Sequence, residues 1–241
     1  MTDNALTTMW SVLMPVKVLA RAKSRLAGLS GLSGSRRAEL ALALACDTVT
    51  AVLSSDAVAR VIVITDDQVA GVALAALGAL IIPDEPRDGL NAALRHGAAH
   101  TVARWPSAGT AALSADLPAL RPEQIGRALR AAAAWPTAFV PDAAGDGTTL
   151  YSAAPGAAFR PAFGPGSRAR HSAGGAAELG LDGIPGLRRD VDTPSDLREA
   201  VALGLGSHSA PLAAELLCQP RGDEPKSPPG TPRVRCAPRG R

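Results

Sequence analysis

Asp116, Asp190 and Asp192 are the residues whose setting most directly suggests chemistry, because Asp116 ends an apolar run two residues before a proline and Asp190 and Asp192 lie just before the helix cap Thr193-Pro194. Gly109 to Leu113 is apolar and gives way to Ala115-Asp116-Leu117-Pro118. Parallel strands covered on both faces read as continuous apolar sequence, and ligands bind beyond their carboxyl ends. Asp116 is expected at such an end, although it would equally suit a cap on the turn before a helix at Pro122. Asp190 and Asp192 precede Thr193-Pro194. On a strand, residues i and i+2 share a face, so these two carboxylates could converge on one cation. The plain alternative is a capped turn carrying surplus acid. With Asp116 as a third strand-end carboxylate, magnesium is the expected occupant, since it is commonly held by one or two carboxylates together with substrate phosphates.

Phosphate is also what the basic segment suggests. Lys17, Arg21, Lys23 and Arg25 place four cations in nine positions directly after the apolar run Trp10 to Val16. A cationic loop after a first strand is a common phosphate site in α/β proteins, and oriented Lys and Arg neutralise phosphoryl oxygens. A solvated basic turn is the competing reading. Two glycine-containing turns follow later in the chain. Gly145-Asp146-Gly147-Thr148 and Phe163-Gly164-Pro165-Gly166-Ser167-Arg168-Ala169-Arg170 offer Thr148, Ser167, Arg168 and Arg170 as donors to an anion, or else they are only turns. The four histidines have no metal-ligand spacing; His96 and His100 are expected at the surface.

The elements that would carry these groups alternate. Strands are expected at Trp10–Val16, Arg60–Ile64, Ala79–Ile82, Gly109–Leu113 and Thr137–Val140, with a further strand entered at Thr148. Helices are expected over Arg36–Leu53, Gln68–Leu77, from Leu90, from Pro122, over Ser172–Leu179, and from Pro194, where Thr193 is the N-cap and Asp196 the third helical position. The βαβαβ alternation predicts an α/β fold whose mostly parallel sheet is sandwiched by helices. Asn91, at the start of its helix, should share the Asp116 edge.

Composition bounds the rest. A chain of 241 residues with 46% hydrophobic content buries a sizeable core, mostly aliphatic because aromatics are only 3%. Residues 211–241 hold six Lys/Arg against three Asp/Glu, and residues 1–210 hold nineteen of each, so the body is not a nucleic-acid surface by charge. Residues 1–9 are expected to be a flexible N-terminus, 10–210 one catalytic domain, and 211–241, with seven prolines, a disordered tail. Cys46, Cys218 and Cys236 form no CxxC pair, and no stretch approaches a membrane span of about 20 apolar residues. A cytoplasmic protein is expected, with no membrane or nucleic-acid partner. A dehydrogenase is disfavoured because no G-x-G-x-x-G follows the first strand.

Taken in order, Pro15-Val16-Lys17, Ala22-Lys23-Ser24-Arg25-Leu26, Gly89-Leu90-Asn91, Asp116-Leu117-Pro118, Gly147-Thr148, Phe163-Gly164-Pro165 with Ser167, Ala169-Arg170-His171 and Asp190-Val191-Asp192-Thr193-Pro194 resemble the guanylyltransferases of coenzyme F420 biosynthesis, the CofC/FbiD type. The resemblance covers roughly residues 10–205. It implies a nucleotide-diphospho-sugar transferase-like fold, magnesium as cofactor, GTP and phosphoenolpyruvate or 2-phospho-L-lactate as substrates, and a downstream F420 transferase as partner. Carried over by motif, Asp116, Asp190 and Asp192 are the implied metal ligands, and Thr148, Gly164 and Ser167 the implied acceptor site. Lys17, Lys23 and Arg25 are the implied catalytic, triphosphate-binding groups, with Thr65 and Asn91 as candidates for the nucleotide. The alternatives are another nucleotidyl- or glycosyltransferase of the same fold, or a nucleotide-binding module without turnover.

Overall fold

The β-branched and aliphatic runs form strands that alternate strictly between two cores. In this computed structural model, which describes residues 8–23, 25–26 and 32–218, a seven-stranded sheet takes the order β3-β2-β1-β4-β6-β5-β7. The strands are β1 (Trp10–Pro15), β2 (Val58–Ile64), β3 (Leu80–Ile82), β4 (Gly109–Leu113), β5 (Thr137–Pro141), β6 (Thr148–Ala153) and β7 (Ala177–Glu178). Only β6 runs against its neighbours. Val12, Met14, Val61, Val63, Ala111 and Leu113 point into one core cluster. Leu13, Ile62, Ile64 and Ala112 point into another, the period of two that a doubly covered sheet requires.

Helices α1 (Gly34–Leu53), α2 (Gln68–Ala76) and α4 (Pro122–Ala132) cover the first face, and α3 (Leu90–Arg104) the second. Their starts follow from the sequence. Asp67 caps α2 by accepting the Val69 and Ala70 N–H groups, both at 3.0 Å. Its second oxygen accepts the Leu19 N–H at 2.9 Å, which ties the loop after β1 to the end of β2. Burial works to raise the Asp67 carboxyl, but the N–H groups of Ala70, Leu19 and Val69 outweigh it and hold the pKa below its usual value. The Thr193 capping box with Asp196 opens α7 (Pro194–Leu203) as the sequence predicts.

Four expectations need correction. The stretch Ser172–Leu179 is not one helix: α5 is Ser167–Ala173, ended by Gly174-Gly175 with Gly175 at a φ of 83°, after which Ala177 and Glu178 pair with β5. The Asp190–Asp192 segment is not a strand but a connection between the short α6 (Pro185–Arg188) and α7. The expected tail begins too early, because Ala210–Cys218 forms α8 with Ala213 and Leu216 buried. At the other end, Met9 already belongs to the fold, its carbonyl accepting the Gly109 N–H at 3.0 Å. The expectations for residues 1–7 and 219–241, Cys236 included, lie outside the described residues. Among the described residues no helix is long and apolar enough to cross a membrane.

Candidate active site

The chain lays β2 and β3 on one side of β1 and β4 on the other, so the carboxyl ends of β1 and β4 flank a topological switch point. A cleft of about 680 Å³ opens there, within the size range of small-molecule sites. Its walls come from the loop after β1, the end of β4, the Asp190–Asp192 connection, the turn before β6 and the loop before α5. Leu90 and Leu94 of α3, and Ala41 and Ala45 of α1, add an apolar surface.

Asp116 is held by its backbone from two sides. The Leu117 N–H donates to Thr48 Oγ1 of α1 at 3.0 Å, and the Asp116 carbonyl accepts the Val191 N–H at 3.1 Å. The second bond brings Asp190 and Asp192 to the end of β4. Between the carboxylates lies the Lys23 ammonium, which bonds Asp116 and, at 3.0 Å, Asp192 Oδ1. Lys23 adopts a left-handed φ of 55°, a conformation that costs a non-glycine residue about 1–2 kcal/mol. Burial works against its charge, but Asp116 and Asp192 together keep its pKa above the ordinary lysine value. Arg25, largely exposed, stands 3.9 Å from Asp192 Oδ2, and Lys17 is exposed on the same rim.

Asp190 is the strained member of this group. Burial first, then the charges of Asp116 and Asp192, push its carboxyl up to about 7. Three carboxylates that repel one another across a cleft are relieved by a cation, and hard oxygen donors suit magnesium. Among the described residues no three His, Cys, Asp or Glu side chains already form a cage around one point. Magnesium does not require that, because one or two carboxylates and substrate phosphates commonly complete its shell.

The facing wall is built from backbone. Gly164 takes a φ of 117° and Gly166 a φ of 67°, conformations that favour glycine and let the Gly164–Ser167 turn wrap inward. Five residues tie this wall down. Asn91 donates to the Phe163 carbonyl at 3.0 Å and accepts the Phe163 N–H at 2.8 Å. Asp146 accepts the Gly166 N–H at 2.9 Å, while Asp142 accepts the N–H groups of Gly145 and Asp146. Arg170 donates to the Ala162 and Pro165 carbonyls, and His171 accepts the Ala162 N–H at 2.9 Å. Thr148 and Ser167 line the cleft between these supports, both buried.

Of the residues singled out in the sequence, Lys17, Lys23, Arg25, Asp116, Thr148, Gly164, Ser167, Asp190 and Asp192 all line this one cleft. Thr65 and Asn91 do not. Thr65 Oγ1 is turned to the Asp67 N–H at 3.1 Å in the turn after β2, and the Asn91 amide is consumed by Phe163. Arg168 and Arg170 are likewise structural: Arg168 grips Glu178 with two bonds of 2.7 and 2.9 Å. Sequence reasoning missed Asp142, Asp146 and His171 as supports of the facing wall. Asp142 precedes the glycines of its turn and Asp146 lies between them, a setting typical of side chains that bond backbone nearby, and that signal was available. His171 stood out only within the Ala169-Arg170-His171 motif, which says nothing of its bonds to Ala162 and Thr148.

Comparison with known proteins agrees with this geometry. The family model "Guanylyl transferase CofC like" matches residues 10–216. A phosphoenolpyruvate guanylyltransferase of Thermomonospora curvata is 59% identical over 207 residues, covering 86% of this chain and 90% of the relative. One from Streptomyces avermitilis is 57% identical, covering 89% and 99%. Among solved structures, a protein of Desulfovibrio desulfuricans G20 assigned to the nucleotide-diphospho-sugar transferases aligns with a TM-score of 0.56 at 15% identity, covering 81% of this chain and 96% of that one. A nucleotidyl transferase of Methanothermobacter thermautotroptrophicus aligns at 0.55 and 19%, covering 81% and 97%. At such identities the structural likeness shows the fold alone, that of the nucleotide-diphospho-sugar transferases. The match along the sequence shows more: the chain belongs to the CofC-like guanylyl transferase family.

Proposed function

We propose that this protein transfers GMP from GTP to phosphoenolpyruvate and releases pyrophosphate. The observation that carries the reading is the meeting, in one cleft at the β1/β4 switch point, of Asp116, Asp190 and Asp192 with Lys17, Lys23 and Arg25, opposite a wall bearing Thr148 and Ser167 whose own carboxylates, Asp142 and Asp146, accept backbone N–H groups. Such a cleft has one half suited to a triphosphate and another suited to a second small anion. The relatives named for phosphoenolpyruvate support that acceptor over 2-phospho-L-lactate.

In the proposed step an oxygen of the acceptor's phosphate attacks the α-phosphorus of GTP in line. A new P–O bond forms as the bond to the β-phosphate's bridging oxygen breaks. The acceptor is already anionic at neutral pH, so no strong general base is needed, and catalysis consists of positioning and charge neutralisation. Lys17, Lys23 and Arg25 neutralise the triphosphate and the departing pyrophosphate. Thr148, Ser167 and the Gly164 backbone hold the acceptor. Asp116, Asp190 and Asp192 would hold magnesium, which when bound offsets charge on the phosphoryl oxygens. The product is a diphosphate that joins the guanosine to the acceptor through a P–O–P bond, and its consumer is a downstream transferase in coenzyme F420 biosynthesis. The cytoplasm is the proposed compartment.

The test is purified protein with magnesium, each nucleoside triphosphate in turn and each of the two acceptors, following pyrophosphate. Release is expected only with GTP and phosphoenolpyruvate together. Release from GTP without an acceptor, or none with any pair, contradicts the reading.

A further inference from the structure

His171 is the one histidine the fold buries, 2% exposed, yet it does not line the cleft. Its ring is stacked on Tyr151, with centroids 4.6 Å apart, and bounded by Phe139 and Phe163. Both ring nitrogens have partners. Nε2 faces the Ala162 N–H at 2.9 Å, and Nδ1 lies 3.0 Å from Thr148 Oγ1. A backbone amide can only donate, so Nε2 must carry the lone pair. Burial and the neighbouring Arg170 charge push the His171 pKa down to about 4, so at neutral pH the ring is neutral and its single N–H is at Nδ1. That N–H donates to Thr148. The hydroxyl, having accepted from the ring, is left with its own hydrogen to direct elsewhere, and the Thr148 side is a wall of the cleft.

We propose that His171 is a positioning residue that makes the Thr148 hydroxyl a hydrogen-bond donor toward the cleft and thereby tunes this wall to an anionic phospho-carboxylate acceptor. The same ring fixes the Ala162 end of the Gly164–Ser167 turn, so one side chain sets both the direction of a donor and the position of the loop beside it. The inference deepens the function proposed above and rests on that reading for the identity of the acceptor. A wall with this polarity favours a phosphate or carboxylate oxygen, which only accepts, over a group that must donate.

Two measurements test it. In 15N-labelled wild-type protein at pH 7.5, long-range proton–nitrogen spectra distinguish the histidine tautomers, and the His171 signal is identified by its loss in His171→Gln or His171→Asn. The neutral Nδ1–H form is expected; the Nε2–H form or an imidazolium overturns the proposal. The second is a double-mutant cycle of wild type, His171→Gln, Thr148→Val and the pair, with separate KM values for phosphoenolpyruvate and GTP. Glutamine can present an acceptor to Ala162 near the Nε2 position but no donor toward Thr148. Each single change is expected to raise the acceptor KM about tenfold while leaving the GTP KM within about twofold, with the pair no worse than Thr148→Val alone. Losses that multiply to about a hundredfold, or that fall equally on GTP, overturn it. His171→Asn, whose amide can donate near the Nδ1 position, is expected to recover much of the acceptor KM, and failure to exceed His171→Gln counts against the proposal. If wild type itself shows no acceptor-dependent turnover, the functional reading fails, and the tautomer still decides whether His171 orients Thr148.

Discussion

At the scale of single residues, the cleft separates charge that must be neutralised from charge that must be kept out. Asp116 shows the first. Replacing it with asparagine keeps shape and removes one of the two carboxylates that hold the Lys23 ammonium. Asp116→Asn is expected to lower kcat by about a hundredfold or more, with the thermal midpoint little changed; full activity in a pyrophosphate-release assay would sink the site assignment. His171 shows the second. Its pKa of about 4 lies below the 6.5 of an unfolded histidine, so between these values the unfolded chain binds a proton that the folded chain refuses. The histidine's contribution to stability is therefore complete above about pH 6.5 and is lost as pH falls toward 4, by roughly 3 kcal/mol in all. Asp190, raised to about 7, titrates in the same window with the opposite sign. The difference between wild type and His171→Gln in urea unfolding from pH 7.5 to 4.5 isolates the histidine: wild type is expected to lose stability relative to the variant as pH falls, by roughly 3 kcal/mol across the window, and a difference that does not change with pH would contradict it.

At the scale of elements, the site is where loops from distant parts of the chain are pinned to one another, and α3 pins the acceptor wall through Asn91. Asn91→Ala removes both bonds to Phe163 and leaves a backbone N–H without its partner, a loss of about 2 kcal/mol that corresponds to roughly 4–8 °C in the thermal midpoint of a chain this size. The acceptor KM is expected to rise about tenfold. A rise confined to GTP would instead return Asn91 to the nucleotide role read from the sequence. The Asn91 geometry is instructive about what a sequence displays. Strands β1, β2 and β4 were legible because a doubly buried strand is a run of apolar residues, and the start of α7 because Thr193-Pro194-Ser195-Asp196 is a complete local capping signal. Asp116 at the end of β4 followed from the same logic. The direction of the Asn91 and Thr65 side chains was not legible, since each is decided by a backbone group, 72 residues away for Asn91 and two for Thr65, that competes with any ligand. Nor was the placement of Asp190 and Asp192, which reach the β4 end through one backbone bond rather than by lying on a strand.

At the scale of the whole molecule, the segment that carries Asp190 and Asp192 depends on the last described helix. Val191 between them is fully buried in a cluster with Leu40 and Leu44 of α1, Leu197 and Ala200 of α7, and Ala213 and Leu216 of α8. Asp47 of α1 secures the entrance to α8 by accepting the His208 and Ser209 N–H groups, both at 2.9 Å. The composition of residues 211–241 concealed this helix, because six of the seven prolines that suggested disorder lie beyond Cys218. The remaining one, Pro211, sits in the first helical turn, where its missing N–H is no cost. Leu212, Ala213, Leu216 and Leu217 keep a helical spacing within it. A chain ending at Cys218 is therefore expected to unfold at the wild-type temperature and to retain turnover. A chain ending at Ser209 exposes Leu40, Leu44 and Val191 and loses the burial of Leu216 and Ala213, about 3 kcal/mol, or roughly 6–12 °C. Its turnover should fall further than its stability alone requires, because loosening Val191 releases two of the three cleft carboxylates from the end of β4. Thermal unfolding and pyrophosphate release on the two truncations check both halves of the argument, and a chain ending at Ser209 with wild-type melting and turnover would show that the carboxylates are held without α8.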